Sequence, residues 1–141
     1  MTSPINRPLA DLVHDQRPVT LAAHATVQAA CQRMRERRVG CVLVTDGDQL
    51  VGIFTGRDAV ALLAHGKPAG ELRLDSAMTC NPTCLAPGAS ALDALRCMQD
   101  GGFRHVPIVQ DGKVIGVVSR GDFRAIEHAR LDEETGLWER L

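Results

Sequence analysis

Five features that often announce a function are missing from this 141-residue sequence. Its 16 Lys and Arg nearly balance 17 Asp and Glu, for a formal charge of −1. That removes the electrostatic case for nucleic acid or an anionic membrane as partner. No apolar run approaches the roughly 20 residues needed to span a bilayer. The opening MTSPINRPLA lacks the apolar core of a secretory signal, so the cytoplasm is the expected compartment. Metal-ligand spacing is also absent. The five cysteines (31, 41, 80, 84 and 97) are odd in number, Cys80 and Cys84 have no second pair, and the five histidines are scattered. Cys31, Cys41 and Cys97 fall on apolar-periodic or strand-like positions, where cysteine acts as a small hydrophobe. A reduced, metal-free protein is expected. No P-loop, Gly-x-Gly-x-x-Gly, Gly-x-Ser-x-Gly or His-Glu-x-x-His pattern occurs, so catalysis has no local signature.

What the sequence does contain is a repeat. Residues 11–58 set over 75–122, without a gap, match at ten of 48 positions: Asp11/Asp75, Pro18/Pro82, Leu21/Leu85, Ala22/Ala86, Ala25/Ala89, Ala30/Ala94, Met34/Met98, Val42/Val106, Gly52/Gly116 and Asp58/Asp122. Two copies of one unit imply a pseudo-two-fold axis and two equivalent clefts, and clefts between packed units are favoured ligand sites. Each copy alone is marginal in size, so a shared core is expected.

The periodicities within each copy agree. Each opens with an extended segment, Pro18–Leu21 or Pro82–Leu85. Val27, Ala30, Cys31 and Met34 then recur at helical spacing, as do Ala91, Ala94, Leu95 and Met98. Thr26 and Ser90 are the expected N-caps, and Ser90 with Asp93 resembles a capping box. The arginine-rich end of the first helix reads as a solvated face. Val39–Thr45 and Phe103–Val109 read as strands that turn at Gly47 and Gly112 into Leu50–Phe54 and Val114–Val118. Second helices are expected to open at Thr55 and Ser119, the latter running from Asp122 towards Arg130. The fold class is therefore α+β, two tandem β-α-β-β-α units with small sheets covered by helices. The boundaries are 8–70, 71–130 and a tail 131–141, whose Trp138 sits in a possible short helix.

Thr55-x-x-Asp58 and Ser119-x-x-Asp122 are the candidate site, each where a strand passes into a helix. Such a junction presents backbone N–H groups and a positive dipole end to a phosphate, while a carboxylate accepts from the two hydroxyls of a ribose. Arg57 and Arg120 adjoin the motifs, and Arg104 and His105 enter on the second copy's strand, positioned to neutralise phosphate. A capping box needing no ligand explains the same four-residue pattern. Recurrence at the same place in both copies, with arginine beside each, favours a ligand.

The segments Gly52–Asp58 and Phe103–Asp122, with Met78-Thr79 ahead of the second copy, resemble the CBS domain, the regulatory module named after cystathionine beta-synthase. The resemblance spans about residues 8–128 as a tandem pair, or Bateman module. It implies clefts for adenosine ligands: AMP, ADP or ATP, with S-adenosylmethionine or a dinucleotide such as NAD as alternatives. By the same resemblance Asp58 and Asp122 hold ribose, and Thr55, Ser119 and nearby basic groups approach phosphate. Val39 and Gly40, or Phe103 and Arg104, hold adenine from the opposite copy's hairpin, and segments around Val19 and Thr83 close the pockets. A flat homodimer and a separate regulated protein are implied as partners, with no resident cofactor. Because Gly40-Cys41 stands where the second copy has Arg104-His105, the Asp122 cleft is expected to bind phosphorylated ligand more tightly. A structural or dimerisation module with empty clefts is the competing expectation, and an enzyme is a third.

Overall fold

A computed structural model describes residues 6–124 and 127–132 of the chain. In chain order the elements are α1 (Leu9–Leu12), β1 (Thr20–Ala22), α2 (Val27–Arg37), β2 (Cys41–Asp46), β3 (Gln49–Thr55), α3 (Gly56–Ala64), β4 (Thr79–Cys80), α4 (Ala91–Gly101), β5 (His105–Gln110) and β6 (Lys113–Ser119). Short 3₁₀ turns occupy Leu74–Ser76 and Arg120–Asp122, and residues 127–132 are helical. Part of the expected tail, from residue 133 through Trp138 to 141, lies outside the described residues.

The helices expected after Thr26 and Ser90 and both hairpins form for the anticipated reasons. Thr26 Oγ1 accepts from Ala29 N at 3.0 Å to start α2. Ser90 and Asp93 exchange bonds of 3.0 and 3.2 Å to start α4, satisfying amides that have no partner within the helix. In the first copy β1 runs parallel to β2, with Leu21 opposite Val44, and β2 pairs antiparallel with β3. The second copy repeats the first contact as a single parallel bridge, Leu85 opposite Ile108. Its β5 and β6 are neighbours joined through Asp111-Gly112, both at positive φ (54° and 80°), as a tight two-residue hairpin turn requires.

Compact units divide the chain as follows. Residues 17–82 with 111–114 make one compact unit, whereas 6–16 join 83–110, 115–124 and 127–132 in the other. Each unit has its own apolar cluster. The clusters match position by position: Val27, Ala30, Met34, Val42, Val44 and Phe54 in one, Ala91, Ala94, Met98, Val106, Ile108 and Val118 in the other. Each is completed by a fully buried leucine from the strap that precedes the other copy, Leu74 in the first unit and Leu9 in the second.

The straps bond alike. Leu74 N donates to Ala25 O and Leu9 N to Ala89 O, both at 2.8 Å, while Val27 N donates to Leu72 O and Ala91 N to Arg7 O. The spacing between equivalent strap residues is thus one longer than the 64-residue period of the copies. The sequence match of Asp11 to Asp75 is therefore one place out of structural register.

The straps also explain why Gly52 and Gly116 are identical. A Cβ on Gly52 would collide with the Met78 side chain, and one on Gly116 would lie 2.6 Å from Val13 Cβ. Met78 and Val13 are again equivalent strap positions. The first unit adds a strand not anticipated from sequence, β4, which pairs with β3 at Gly52 and Ile53. The second unit puts a side chain to the same use: the Gln16 amide accepts from Val117 N at 2.6 Å and donates to Val117 O at 2.9 Å. Met78 is flexible and can yield, whereas β-branched Val13 cannot. Gly116→Ala should therefore destabilise the chain by about 1–3 kcal/mol through overpacking, and Gly52→Ala by less. Urea denaturation of the two single variants measures this, and the reverse order would contradict the strap account.

Candidate functional site

Both Ser/Thr-x-x-Asp motifs sit at the end of a hairpin and both are capped. In the first unit Thr55 N donates to Asp58 Oδ2 at 2.9 Å, and Asp58 N donates to Thr55 Oγ1 at 3.2 Å. In the second, Ser119 N donates to Asp122 Oδ2 at 2.7 Å. Each junction is tied to the start of the preceding strand in its own copy: Gly56 N donates to Gly40 O, and Arg120 N to Arg104 O, both at 3.0 Å. Gly40 and Arg104, equivalent in sequence, are thus equivalent in space.

These bonds leave a particular chemistry. The N–H groups of Thr55, Gly56, Asp58, Ser119 and Arg120 are already engaged, so little of the backbone remains to cradle a phosphate. Capping fixes each carboxylate through Oδ2 and leaves Oδ1 outside that bond. A carboxylate oriented in this way is suited to accept from vicinal hydroxyls. The capping reading and the ligand reading are therefore compatible.

The two junctions differ beyond this point. In the first unit the motif opens the nine-residue helix α3, whose dipole supports negative charge near Arg57. The second helix expected to open at Ser119 does not do so. Arg120–Asp122 is a single 3₁₀ turn, and Phe123 is extended (φ −94°, ψ 148°) and buried in the unit's cluster. Burying that ring breaks the helix, and the chain becomes helical again by residues 127–132. There Glu127 Oε1 accepts from Arg124 N at 2.7 Å, as an N3 carboxylate does. Asp122 closes a single 3₁₀ turn with no extended helix dipole behind it, and the side chains of Arg104 and Arg120 at this junction are exposed.

The remaining expected residues are placed as follows. Val39 is 41% exposed beside Gly40, whereas Val19 is buried in the first unit's cluster. His105 is half-buried at the start of β5. Thr83 and Phe103 line an open groove of about 500 Å3 along α4, together with Asp93, Arg96 and Cys97. Burial pushes the Cys31 and Cys97 thiols up, which disfavours a nucleophilic thiolate at either.

With this geometry in place, the comparisons with known proteins decide the family. The family model for the CBS domain matches twice, over residues 9–65 and 69–128. The chain belongs to the CBS domain family and carries two copies in tandem. CBS pairs of this kind are regulatory modules. A CBS domain-containing protein of Arabidopsis thaliana, CBSCBSPB2, is 36% identical over 129 residues, covering 83% of this chain and 24% of that protein. A second from the same plant, CBSCBSPB3, is 35% identical over 126 residues, covering 87% and 22%. The chain thus spans about a quarter of the length of these curated relatives. Among solved structures, a CBS-domain protein from Agrobacterium tumefaciens is 29% identical with a TM-score of 0.74, covering 86% of this chain and 98% of that one. A CBS domain protein from Pyrobaculum aerophilum, complexed with AMP, is 21% identical with a TM-score of 0.81, covering 89% and 98%. Among the described residues no helix is long and apolar enough to cross a membrane.

Sequence reasoning missed three residues beside the Asp122 turn. Glu127 is fully buried, and its carboxylate is gripped by Arg7 Nη2 at 2.8 Å and Nε at 3.2 Å. Arg7 Nη2 also lies 3.4 Å from the Asp122 carbonyl oxygen. His128 Nε2 lies 3.2 Å from Arg120 O, and its ring stands edge-on to Phe123. No spacing rule joins residues 120 apart, so no local pattern announced the ion pair. Burial alone would push the Glu127 carboxyl up, but the bonds from Arg7 and Arg124 outweigh it and hold it below the usual carboxylate range.

A carboxyl with a lowered pKa contributes stability above its unfolded value and loses it as pH falls through the folded value. Arg7→Met strands Glu127 and should cost about 3–5 kcal/mol near neutral pH. The deficit should shrink as acid protonates Glu127. Chemical denaturation of both proteins from pH 7 to pH 3 measures it, and a pH-independent deficit would count against the ion pair.

Proposed function

We propose that this CBS pair binds an adenosine nucleotide of the AMP, ADP or ATP type and signals its presence to a separate protein. The observation that carries the reading is the capped carboxylate at Asp122, with Arg104 and Arg120 at the same junction. Acceptor and cations together match a ribose and its phosphate. Asp58 and Thr55 repeat the acceptor, but Gly40 stands where the second copy has Arg104, leaving Arg57 as the neighbouring cation. The AMP held by the Pyrobaculum CBS protein is consistent with this ligand class, although at 21% identity the likeness is one of fold. The role is recognition, with Ser119 and His105 as the neighbouring polar groups of the second-copy motif.

A dimerisation module is favoured by a different observation. Val60 and Leu63 on α3 are 66% and 70% exposed, an apolar face suited to a second copy of the chain. The two roles can coexist in one regulatory homodimer. Thermal melting against AMP, ADP, ATP, NAD, S-adenosylmethionine and GTP tests the ligand reading. A nucleotide at 100 times its dissociation constant should add about 2.7 kcal/mol of stability. A selective adenosine response lost in Asp122→Ala is the expected result. No response to any of the six would overturn the nucleotide reading and leave dimerisation.

A further inference from the structure

The Arg7–Glu127 pair occupies a position that the first copy fills differently. Arg7 O accepts from Ala91 N as Leu72 O accepts from Val27 N, so Arg7 and Leu72 are equivalent strap residues. Leu72 packs on the apolar cluster of its unit, as does Leu62 of α3. In that unit the strap and the post-motif helix each pack a leucine on the cluster, whereas in the other a buried ion pair joins the two elements. Replacing a buried ion pair with apolar groups commonly leaves stability unchanged or raises it, so stability alone does not account for the charges.

The difference coincides with another. The first motif continues into α3, which fixes Asp58, whereas the second ends after one 3₁₀ turn and has no such continuation. Arg7 is bonded on both sides of the break. Its guanidinium reaches the Asp122 carbonyl oxygen before Phe123, and Glu127 after it. Glu127 in turn accepts from Arg124 N, so the segment on both sides of Phe123 is tied to one side chain of the strap.

We infer that Arg7 is a positioning residue for Asp122, a charged latch by which the N-terminal strap holds the second-copy turn and responds to what the turn binds. Because Ala91 N bonds to Arg7 O and Leu9 N to Ala89 O, the residue that forms the latch also belongs to the strap's seat on α4. Coupling of this kind is reciprocal: a ligand that fixes the turn also fixes the strap. The ligand-responsive half rests on the nucleotide reading above, while the positioning half does not.

Hydrogen exchange of the full chain separates the two halves. Arg7→Leu/Glu127→Leu replaces the buried ion pair with apolar side chains and retains the strap's backbone bonds, so its melting temperature should stay near that of the unaltered chain. In the absence of nucleotide, the Ser119 amide should exchange at least tenfold faster in the double variant, with Val106 and Ile108 in β5 unchanged. Unchanged exchange at Ser119 would overturn the latch. With AMP, the unaltered chain should slow exchange at Leu9 and Ala91 as well as Ser119, and the double variant at Ser119 alone. AMP protection confined to Ser119 in the unaltered chain would overturn the coupling. If AMP shifts neither melting nor exchange, the nucleotide reading fails, and the nucleotide-free comparison still decides the latch.

Discussion

Neither apolar cluster is complete without a leucine that the sequence places ahead of the other copy. Leu9 and Leu74 are fully buried, each anchored by a 2.8 Å backbone bond to the loop before a helix. Gly52 and Gly116 follow from this constraint, because a methyl group at either would meet the strap. So does the split of the chain into units that cross the sequence boundary. Repeat units of this size are marginal alone, and a borrowed leucine adds to the apolar surface each one buries.

The hairpins seated by those clusters end in the two motifs, and there the copies diverge in how they stabilise the same device. Asp58 is backed by α3. Asp122 is backed by the strap through Arg7, because Phe123 leaves the helical path to enter the cluster. In both places the carboxylate caps its own turn with one oxygen, a bond worth on the order of 1 kcal/mol that also fixes the other oxygen's direction. Capping is the local cause of the geometry, and ligand binding would be its use.

Much of this was legible in the sequence. The 64-residue period, the Thr26 and Ser90 caps, the helical stripes ending at Met34 and Met98 and the hairpins all appear where periodicity put them, because each depends on neighbours within a dozen residues. Asp58 and Asp122 were visible for the same reason. The straps were not, since their partners lie about 50 to 80 residues upstream or downstream and obey no short period. The one-residue slip at Asp11/Asp75 was hidden by a coincidental identity. The helix expected at Ser119 was overridden by burial of Phe123, a tertiary preference that propensity cannot register. Val19, expected by resemblance near a pocket, lies in the cluster just ahead of β1.

In the proposed function two equivalent carboxylates serve unequal sites, because Arg104 has only Gly40 as its counterpart. Calorimetric titration of AMP into the unaltered chain, Asp58→Ala and Asp122→Ala tests it most directly. The account predicts that Asp122→Ala removes the tighter binding event while Asp58→Ala leaves it in place. A larger loss of affinity in Asp58→Ala would contradict it.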